Sequence, residues 1–425
     1  MRNILRISQL GEPRYESPVP YVVSDDACVP SSVNWKSGEA PEDLFCFEKA
    51  GPRSRIFFDP KTVRAGIVTC GGLSPGLNNI IRSVVLELNN AHGVPSVLGF
   101  REGFRGLNPA EAEPPVELTP ALVDDIHQHG GTILGTSRGP VDIGVGVETL
   151  VKHGIQIFFV VGGDGTQRGA NEFLKEAVKR GYPLAVVGIP KTIDNDISFV
   201  SRTFGFATAI DSVRGVLNLA HTESTSVRNG IAVVKVMGRN AGFIAAGATV
   251  ASQDVHFCLI PEIPLVLAGE GGFLHLLKKC VAAQRHAVVV VAEGAGQDLF
   301  KAGDLGRDAS GNVKLHDIGP FLCQEITSYF KSCGIETSVR YFDPSYQIRS
   351  CPAKTEDAVL CDRFARFAVH AGMAGKTGVM IGLVNGQFVH VPLELVTRTP
   401  KRLDPQGELW YAVKSVTGFR WQVTG

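Results

Sequence analysis

The chain has 425 residues, 44% hydrophobic and 20% charged, which is enough to bury the cores of two or three domains. Its 42 basic and 42 acidic residues cancel, so no bulk positive field draws it to nucleic acid or to an anionic membrane. No apolar run approaches the roughly 20 residues that cross a bilayer, and the nine cysteines form no CxxC pair and no zinc-type Cys/His spacing. The first residues also lack the apolar core of a signal peptide, so a cytoplasmic protein with reduced thiols is expected.

Residues 1 to 62 are rich in Pro, Ser and acidic groups and show no sustained helical or strand period. They read as an N-terminal extension that wraps over the body or contributes to an oligomer contact. From Arg64 onward, short β-branched runs end in glycine turns, and each turn leads into a longer amphipathic stretch. The runs are RAGIVT (64–69), SVLGF (96–100), QIFFVV (156–161), LAVVGI (184–189), IAVVKV (231–236), HFCLI (256–260), AVVVVAE (287–293) and TGVMIGLV (377–384). Near-continuous apolar strands alternating with helices predict mostly parallel sheets covered on both faces, hence an α/β protein of three-layer, Rossmann-like domains. Ligands of such sheets collect at the carboxyl ends of the strands, where the glycine and charged clusters of this chain fall. No short internal repeat is present. A helix over about 206–226 is placed to cross between two such domains.

Four of those strand ends carry chemistry. The first is TCGGLSPGLNN (69–79). Its glycines permit positive φ and close approach of backbone N–H groups to phosphate oxygens, although by itself it is equally a tight strand–helix turn. It is neither a Walker A loop nor a GxGxxG fingerprint. The second is VGGDGT (161–166), in which the Asp164 carboxylate can hold Mg²⁺ beside a polyphosphate or can simply cap the next helix. The third is IPKTIDND (189–196). Asp194 and Asp196, with Lys191 and Thr192 close by, suit deprotonation of a hydroxyl near phosphate, and an Asx-rich turn is the alternative. The fourth is VMGRNAG (236–242), which brings Arg239 to the sheet edge, where an isolated arginine is usually a surface ion-pair partner.

Together with GGTILGTSRG (130–139), PEIP (261–264) and AEG (292–294), these motifs stand in the order seen in 6-phosphofructokinases. The chain therefore resembles that family over residues 64 to about 400. DPSYQIR (343–349) is similar to the branch that includes plant and trypanosome ATP enzymes. NAD kinases and lipid kinases share only the GGDGT element. The resemblance implies two α/β domains with the sugar phosphate in the cleft between them and across a subunit interface, in a homodimer or homotetramer. On that reading residues 63–205, completed by about 348–400, bind the nucleotide. Residues 206–347, completed by about 401–425, bind fructose 6-phosphate. No nucleic acid or membrane partner is expected.

Carried over residue by residue, the resemblance makes Asp194 the base toward the sugar 1-hydroxyl, with Thr192 and Ile193 lining the sugar and Asp196 supporting the charge network. Lys191 and Arg239 join the catalytic group. Asp164 matches the Mg²⁺ position, and Gly72, Arg138, Gly139, Gly163, Asp164, Gly165 and Thr166 match nucleotide contacts. Met237, Gly238 and Arg239 match the sugar-binding turn, and Glu293 matches a carboxylate toward sugar hydroxyls. Arg340, Tyr346, Gln347, Ile348 and Arg349 match the 6-phosphate cradle, where guanidinium groups suit a dianion.

Four positions depart from the pattern. Leu73 replaces an acid, Tyr346 replaces a histidine, and Gly230 replaces an arginine for which Arg228 can substitute. Lys191 stands where bacterial ATP enzymes have glycine. Gly165 and Lys191 bear on the donor. Glycine in GGDGT leaves room for ATP where pyrophosphate-dependent relatives carry Asp, whereas an ammonium at Lys191 suits pyrophosphate. The expectation is ATP-dependent phosphorylation of fructose 6-phosphate, with the reversible pyrophosphate-dependent reaction as the alternative. A non-catalytic sugar-phosphate sensor should have damaged GGD or TIDND motifs, and both are intact.

Overall fold

The computed structural model describes residues 3–35, 44–139, 141–300, 306–307, 313–396 and 400–418. The chain forms two units, one of Met1–Ile193, Ile197–Gly205 and Ser350–Pro400, the other of Asp194–Asp196, Phe206–Arg349 and Lys401–Gly425.

The first unit is built on a ten-stranded sheet. Its centre is Ile157–Gly162, which pairs in parallel with Arg64–Thr69 on one side and Ala185–Pro190 on the other. Ser96–Phe100 and Val379–Val384 continue the parallel order outward. Every residue of Ile157–Gly162 and Ala185–Pro190 is buried, as the unbroken apolar runs require. Consecutive side chains point to opposite faces. Phe158 meets Phe173 of the helix Asp164–Lys179, with ring centroids 5.6 Å apart. Phe159 faces Gly372 of the helix Thr355–Met373. Helices therefore cover both faces, and each fully buried phenylalanine contributes about 1.5–3 kcal/mol.

The segment before Arg64 carries short strands. Asn3–Leu5, Cys28–Pro30 and Phe45–Lys49 extend the sheet past the antiparallel hairpin Val379–Val384/Gln387–Pro392. Strands this brief do not show a period of two in sequence. The hairpin turns at Asn385 and Gly386, with φ of 50° and 74°, the left-handed pair that an Asn-Gly turn supplies.

Beneath the sheet, the helix Leu77–Leu86 runs into a π-helical segment, Glu87–Ala91, and packs against Thr355–Met373. A polar chain, buried at Glu87, His92 and His370 and reaching the surface at Arg366, joins them. Arg366 donates to Glu87 at 2.8 Å, His370 lies 3.5 Å from Glu87, and His370 Nδ1 is 3.2 Å from His92 Nε2. Burial pushes His92 down to about 4 and His370 to about 3, so both are neutral near pH 7.

The second unit holds a four-stranded, all-parallel sheet in the order Phe257–Leu259, His286–Ala292, Gly230–Val236, Ser338–Phe342. Ile231, Val233, Val289 and Val291 join Phe273, Leu277, Ile326 and Phe330 in one apolar cluster. Those partners lie on the helices Phe273–Gln284 and Ile318–Ser332. Ala232, Val234, Val288 and Val290, equally buried, point the other way. On that side the long helix Phe206–Thr225 contacts Gly230–Val236 and His286–Ala292. The architecture is therefore α/β with mostly parallel sheets.

None of the nine cysteines is in a disulfide. Burial pushes the thiols of Cys70, Cys258 and Cys280 up to about 12, which leaves them unreactive at neutral pH. Among the described residues no helix is long and apolar enough to cross a membrane.

Candidate active site

In the first unit, Arg64–Thr69, Ile157–Gly162 and Ala185–Pro190 are neighbours in the sheet, so the loops at 70–76, 163 and 191–193 leave it side by side. Short contacts stitch them together. Lys191, 6% exposed, donates its backbone N–H to the Gly162 carbonyl at 3.0 Å and its ammonium to the Gly72 carbonyl at 2.6 Å. Gly71 has φ +84° and stands so close that an added Cβ would lie 3.2 Å from Lys191 Nζ. Gln167, fully buried, donates to the carbonyls of Gly162 at 2.9 Å and Ile189 at 3.3 Å. Asn78 ties in the 130–139 loop, donating to the His129 carbonyl at 3.1 Å and accepting from the Ile133 N–H at 2.9 Å. The Thr69 hydroxyl donates to the Gly135 carbonyl at 2.7 Å, and the Thr136 hydroxyl to that of Gly71 at 2.6 Å.

At the end of Ile157–Gly162, Gly163 caps the helix and Asp164 is its first residue. Asp164 is therefore an acid in the first turn, where the helix dipole favours negative charge. Gly165 follows in open space, since an added Cβ would meet only Arg168 Nη2, at 3.7 Å. Gly162 is the reverse case, because a Cβ there would sit 2.4 Å from the Thr166 side chain. Arg138 is exposed, and Gly139 has φ +122°. Thr192 accepts a 2.7 Å hydrogen bond from the Thr203 hydroxyl at its carbonyl, and Ile193 is buried at 5%. The donor set fits magnesium: one hard carboxylate at a helix N-terminus leaves the remaining positions to water and phosphate oxygens.

The second unit carries Asp194–Asp196, and Asn195 turns the chain in the left-handed region at φ 56°. It also carries the turn after Gly230–Val236. There Gly238 (φ +129°) passes within 2.7 Å of the Ala241 carbonyl, measured from an added Cβ, and its own carbonyl accepts the Gly294 N–H at 3.1 Å. Met237 is half-buried beside it. Arg239 donates to the Val313 carbonyl at 2.6 Å. The AEG segment is thereby docked on the MGRNAG turn. Burial raises the Glu293 carboxyl, opposed by the charges of Arg239, Lys235 and Arg349, with Asp343 adding to the rise. Glu293, Arg239 and Arg349 thus share one charged neighbourhood. Lys235, half-buried, bridges Asp317 at 3.0 Å and Asp343 at 2.9 Å, and Asp343 accepts the Ser345 N–H that opens the helix Ser345–Ser350.

The cradle residues divide along that helix. The Arg349 guanidinium lies 4.6 Å from the centre of the Tyr346 ring, which is 73% exposed. Its Nε is shut off from solvent with no hydrogen-bond partner among the described residues. Gln347 is exposed. Ile348 is 1% exposed and turns its side chain into the core, so only its backbone is available to a ligand. Arg340 stands apart from the Glu293 group, exposed on Ser338–Phe342 and 3.9 Å from Glu223. Gly230 explains its own departure from the arginine pattern. A Cβ there would be 2.2 Å from the Ser224 carbonyl oxygen, so no side chain fits, while Arg228 is exposed in the preceding turn.

Several supporting residues escaped sequence reasoning: Asn78, Gln167, Lys235, Asp343 and Glu262. The Glu262 carboxylate accepts the Gly242 N–H with both oxygens, at 3.0 and 3.1 Å. Their position offered the signal: Asn78, Glu262 and Asp343 lie inside quoted motifs and Gln167 directly follows GGDGT, but none was singled out.

A family profile for phosphofructokinase matches residues 64–372. An ATP-dependent 6-phosphofructokinase of Amycolatopsis methanolica is 46% identical over 97% of this chain and 94% of its own length. The trypanosomal enzyme of the same name from Trypanosoma brucei brucei is 46% identical over 88% of this chain and 76% of its own. ATP-dependent 6-phosphofructokinase 7 of Arabidopsis thaliana is 43% identical over 95% and 83%. Among solved structures, a pyrophosphate-dependent phosphofructokinase from Marinobacter aquaeolei superposes with a TM-score of 0.69 at 21% identity, covering 85% of this chain and 92% of that one. That likeness speaks for the fold alone. The chain belongs to the phosphofructokinase family. It is an enzyme, a phosphotransferase with an alcohol group as acceptor.

Proposed function

We propose that the protein transfers the terminal phosphoryl group of ATP to the 1-hydroxyl of fructose 6-phosphate, with Asp194 as general base and Asp164 holding Mg²⁺. The observation that carries the donor choice is the room at Gly165, directly after Asp164 in the first turn of a helix, where dipole and backbone N–H groups favour an anion. The curated relatives at 43–46% identity are named for ATP. The Lys191 ammonium, which donates to the Gly72 carbonyl, can serve either donor with its charge and remaining N–H groups, so it does not decide between them. It braces two loops beside the reacting groups, where it is assigned to the catalytic group with Arg239.

In this reading Mg²⁺ supplies charge neutralisation on the transferring phosphoryl group. The chain's own residues do the rest. Backbone amides around Gly72 and Gly163–Thr166 hold the donor phosphates, with Arg138 and Gly139 at the rim. Thr192, Ile193, Met237 and Gly238 line the sugar, Glu293 accepts from sugar hydroxyls, and Arg239 neutralises charge near the reacting oxygen. Asp194 takes the proton of the incoming hydroxyl, and Asp196 stands behind it. The buried, unbonded Arg349 Nε supports a role in the phosphate cradle, because a phosphate oxygen would satisfy it. Arg340, Tyr346, Gln347 and the backbone of Ile348 complete that cradle in this reading, and the exposed Arg228 is assigned to contact with a second subunit in a homodimer or homotetramer. Product analysis tests the acceptor: ³¹P NMR of a reaction with ATP and fructose 6-phosphate should show fructose 1,6-bisphosphate, and phosphorylation elsewhere would refute it.

Arg349→Ala should raise KM for fructose 6-phosphate roughly 10–150-fold, the equivalent of the ~1.5–3 kcal/mol of a charge-assisted hydrogen bond, with kcat largely kept. Steady-state kinetics checks this, and an unchanged KM would remove Arg349 from the cradle.

A further inference from the structure

The stretch after residue 400 belongs to the second unit and carries none of the recognised motifs. The Lys401 backbone N–H donates to the Asp196 carbonyl at 2.8 Å. Two residues later Leu403, 3% exposed, donates its N–H to Glu262 Oε1 at 2.9 Å. That same carboxylate receives the Gly242 N–H at the end of the MGRNAG turn. A three-residue strap is thus tied at one end to the loop bearing Asp194 and at the other to the turn bearing Arg239.

The Lys401 side chain adds to the tie. Its ammonium lies 5.1 Å from the centre of the Phe243 ring, partly withdrawn from water, and Asp196 is its opposite charge. Arg402 and Asp404, its neighbours on the strap, are exposed, and the Glu262 carboxylate is taken up by amides. A purely structural strap, holding the helix Glu408–Val416 against Phe243–Ser252, does not call for a lysine. An apolar side chain would cover Phe243 without the desolvation cost of an ammonium.

We infer that Lys401 is a positioning residue for phosphoryl transfer: it holds Asp196 and, through the left-handed turn at Asn195, fixes the orientation of the Asp194 carboxylate. The inference rests on the reading of Asp194 as the base. It predicts an alkaline limb in kcat. Burial lowers the Lys401 pKa to about 8, against the pull of Asp196, so the holding charge is present below that pH and is lost as pH rises through it.

The test is kcat and KM for wild type, Lys401→Arg and Lys401→Met between about pH 6.5 and 9.5. Wild-type kcat should fall with a midpoint near 8. Lys401→Arg, which stays charged throughout, should move that limb up by a unit or more. Lys401→Met should lower kcat at pH 7.5 by about tenfold, lose the limb and leave KM for ATP unchanged. Wild-type kcat in Lys401→Met, or an unmoved limb in Lys401→Arg, overturns the inference. Should Lys401→Met fail to fold by circular dichroism, the limb of Lys401→Arg decides alone. Asp194→Asn measured alongside separates the two failures. If that variant keeps its kcat, the base assignment falls. If it is inactive while both Lys401 variants behave as wild type, only the role of Lys401 falls.

Discussion

Asp194→Asn is expected to lower kcat by roughly 10²–10⁴-fold, the range that general-base catalysis supplies, while KM for fructose 6-phosphate changes little. Phosphoryl transfer leaves the protein mainly positioning, charge neutralisation and deprotonation of the incoming hydroxyl. Asparagine keeps the size and much of the hydrogen bonding of aspartate but takes up no proton. The surrounding structure should tolerate it, because the left-handed turn is made by Asn195 and its C-terminal tie is the backbone carbonyl of Asp196. The measurement is steady-state kinetics with direct sugar-phosphate binding. Near-wild-type kcat in this variant would end the assignment.

Gly165→Asp should cut turnover with ATP by at least about tenfold, or roughly 1.4 kcal/mol in the barrier, without unfolding the protein. The site has room for the new Cβ. An acid in the first turn of Asp164–Lys179 is favoured by the helix dipole. Thermal stability should therefore hold or rise slightly while ATP use falls, since the carboxylate would occupy the volume of the nucleotide α-phosphate and repel its charge. A parallel loss of stability and activity would instead mean that the substitution acts on the fold. Unchanged kcat/KM for ATP would show that the donor does not pass this position.

How much of this was legible in advance follows from physics that differs between elements. Ile157–Gly162 and Ala185–Pro190 are buried on both faces, so the sequence had to keep them apolar throughout, and they read directly. Ser338–Phe342 lies at the edge of its sheet and is half-exposed, so SVRYF did not stand out. The strands before Arg64 are too brief to carry a period. The Asn385-Gly386 hairpin was signalled by its dipeptide and overlooked in a chain dominated by strand–helix units. In the candidate site, most residues proposed to meet ligand sit in motif-bearing strand ends and were visible. The role of those that hold the loops was not: Asn78, Gln167, Glu262 and Lys401 owe it to contacts with segments distant in sequence. Ile348 marks the opposite limit, since a motif match cannot tell a side chain facing ligand from one facing the core.

Transfer from ATP to fructose 6-phosphate is checked by comparing turnover with the two donors side by side. Purified wild-type protein, with Mg²⁺ and fructose 6-phosphate, is assayed for fructose 1,6-bisphosphate formation by coupled enzymes, once with ATP and once with pyrophosphate at equal concentration. We predict rapid turnover with ATP and turnover at least about tenfold slower with pyrophosphate, as expected for a difference of roughly 1.4 kcal/mol or more in the barrier. Faster turnover with pyrophosphate would contradict the donor assignment, and no turnover with either would contradict the enzyme activity proposed.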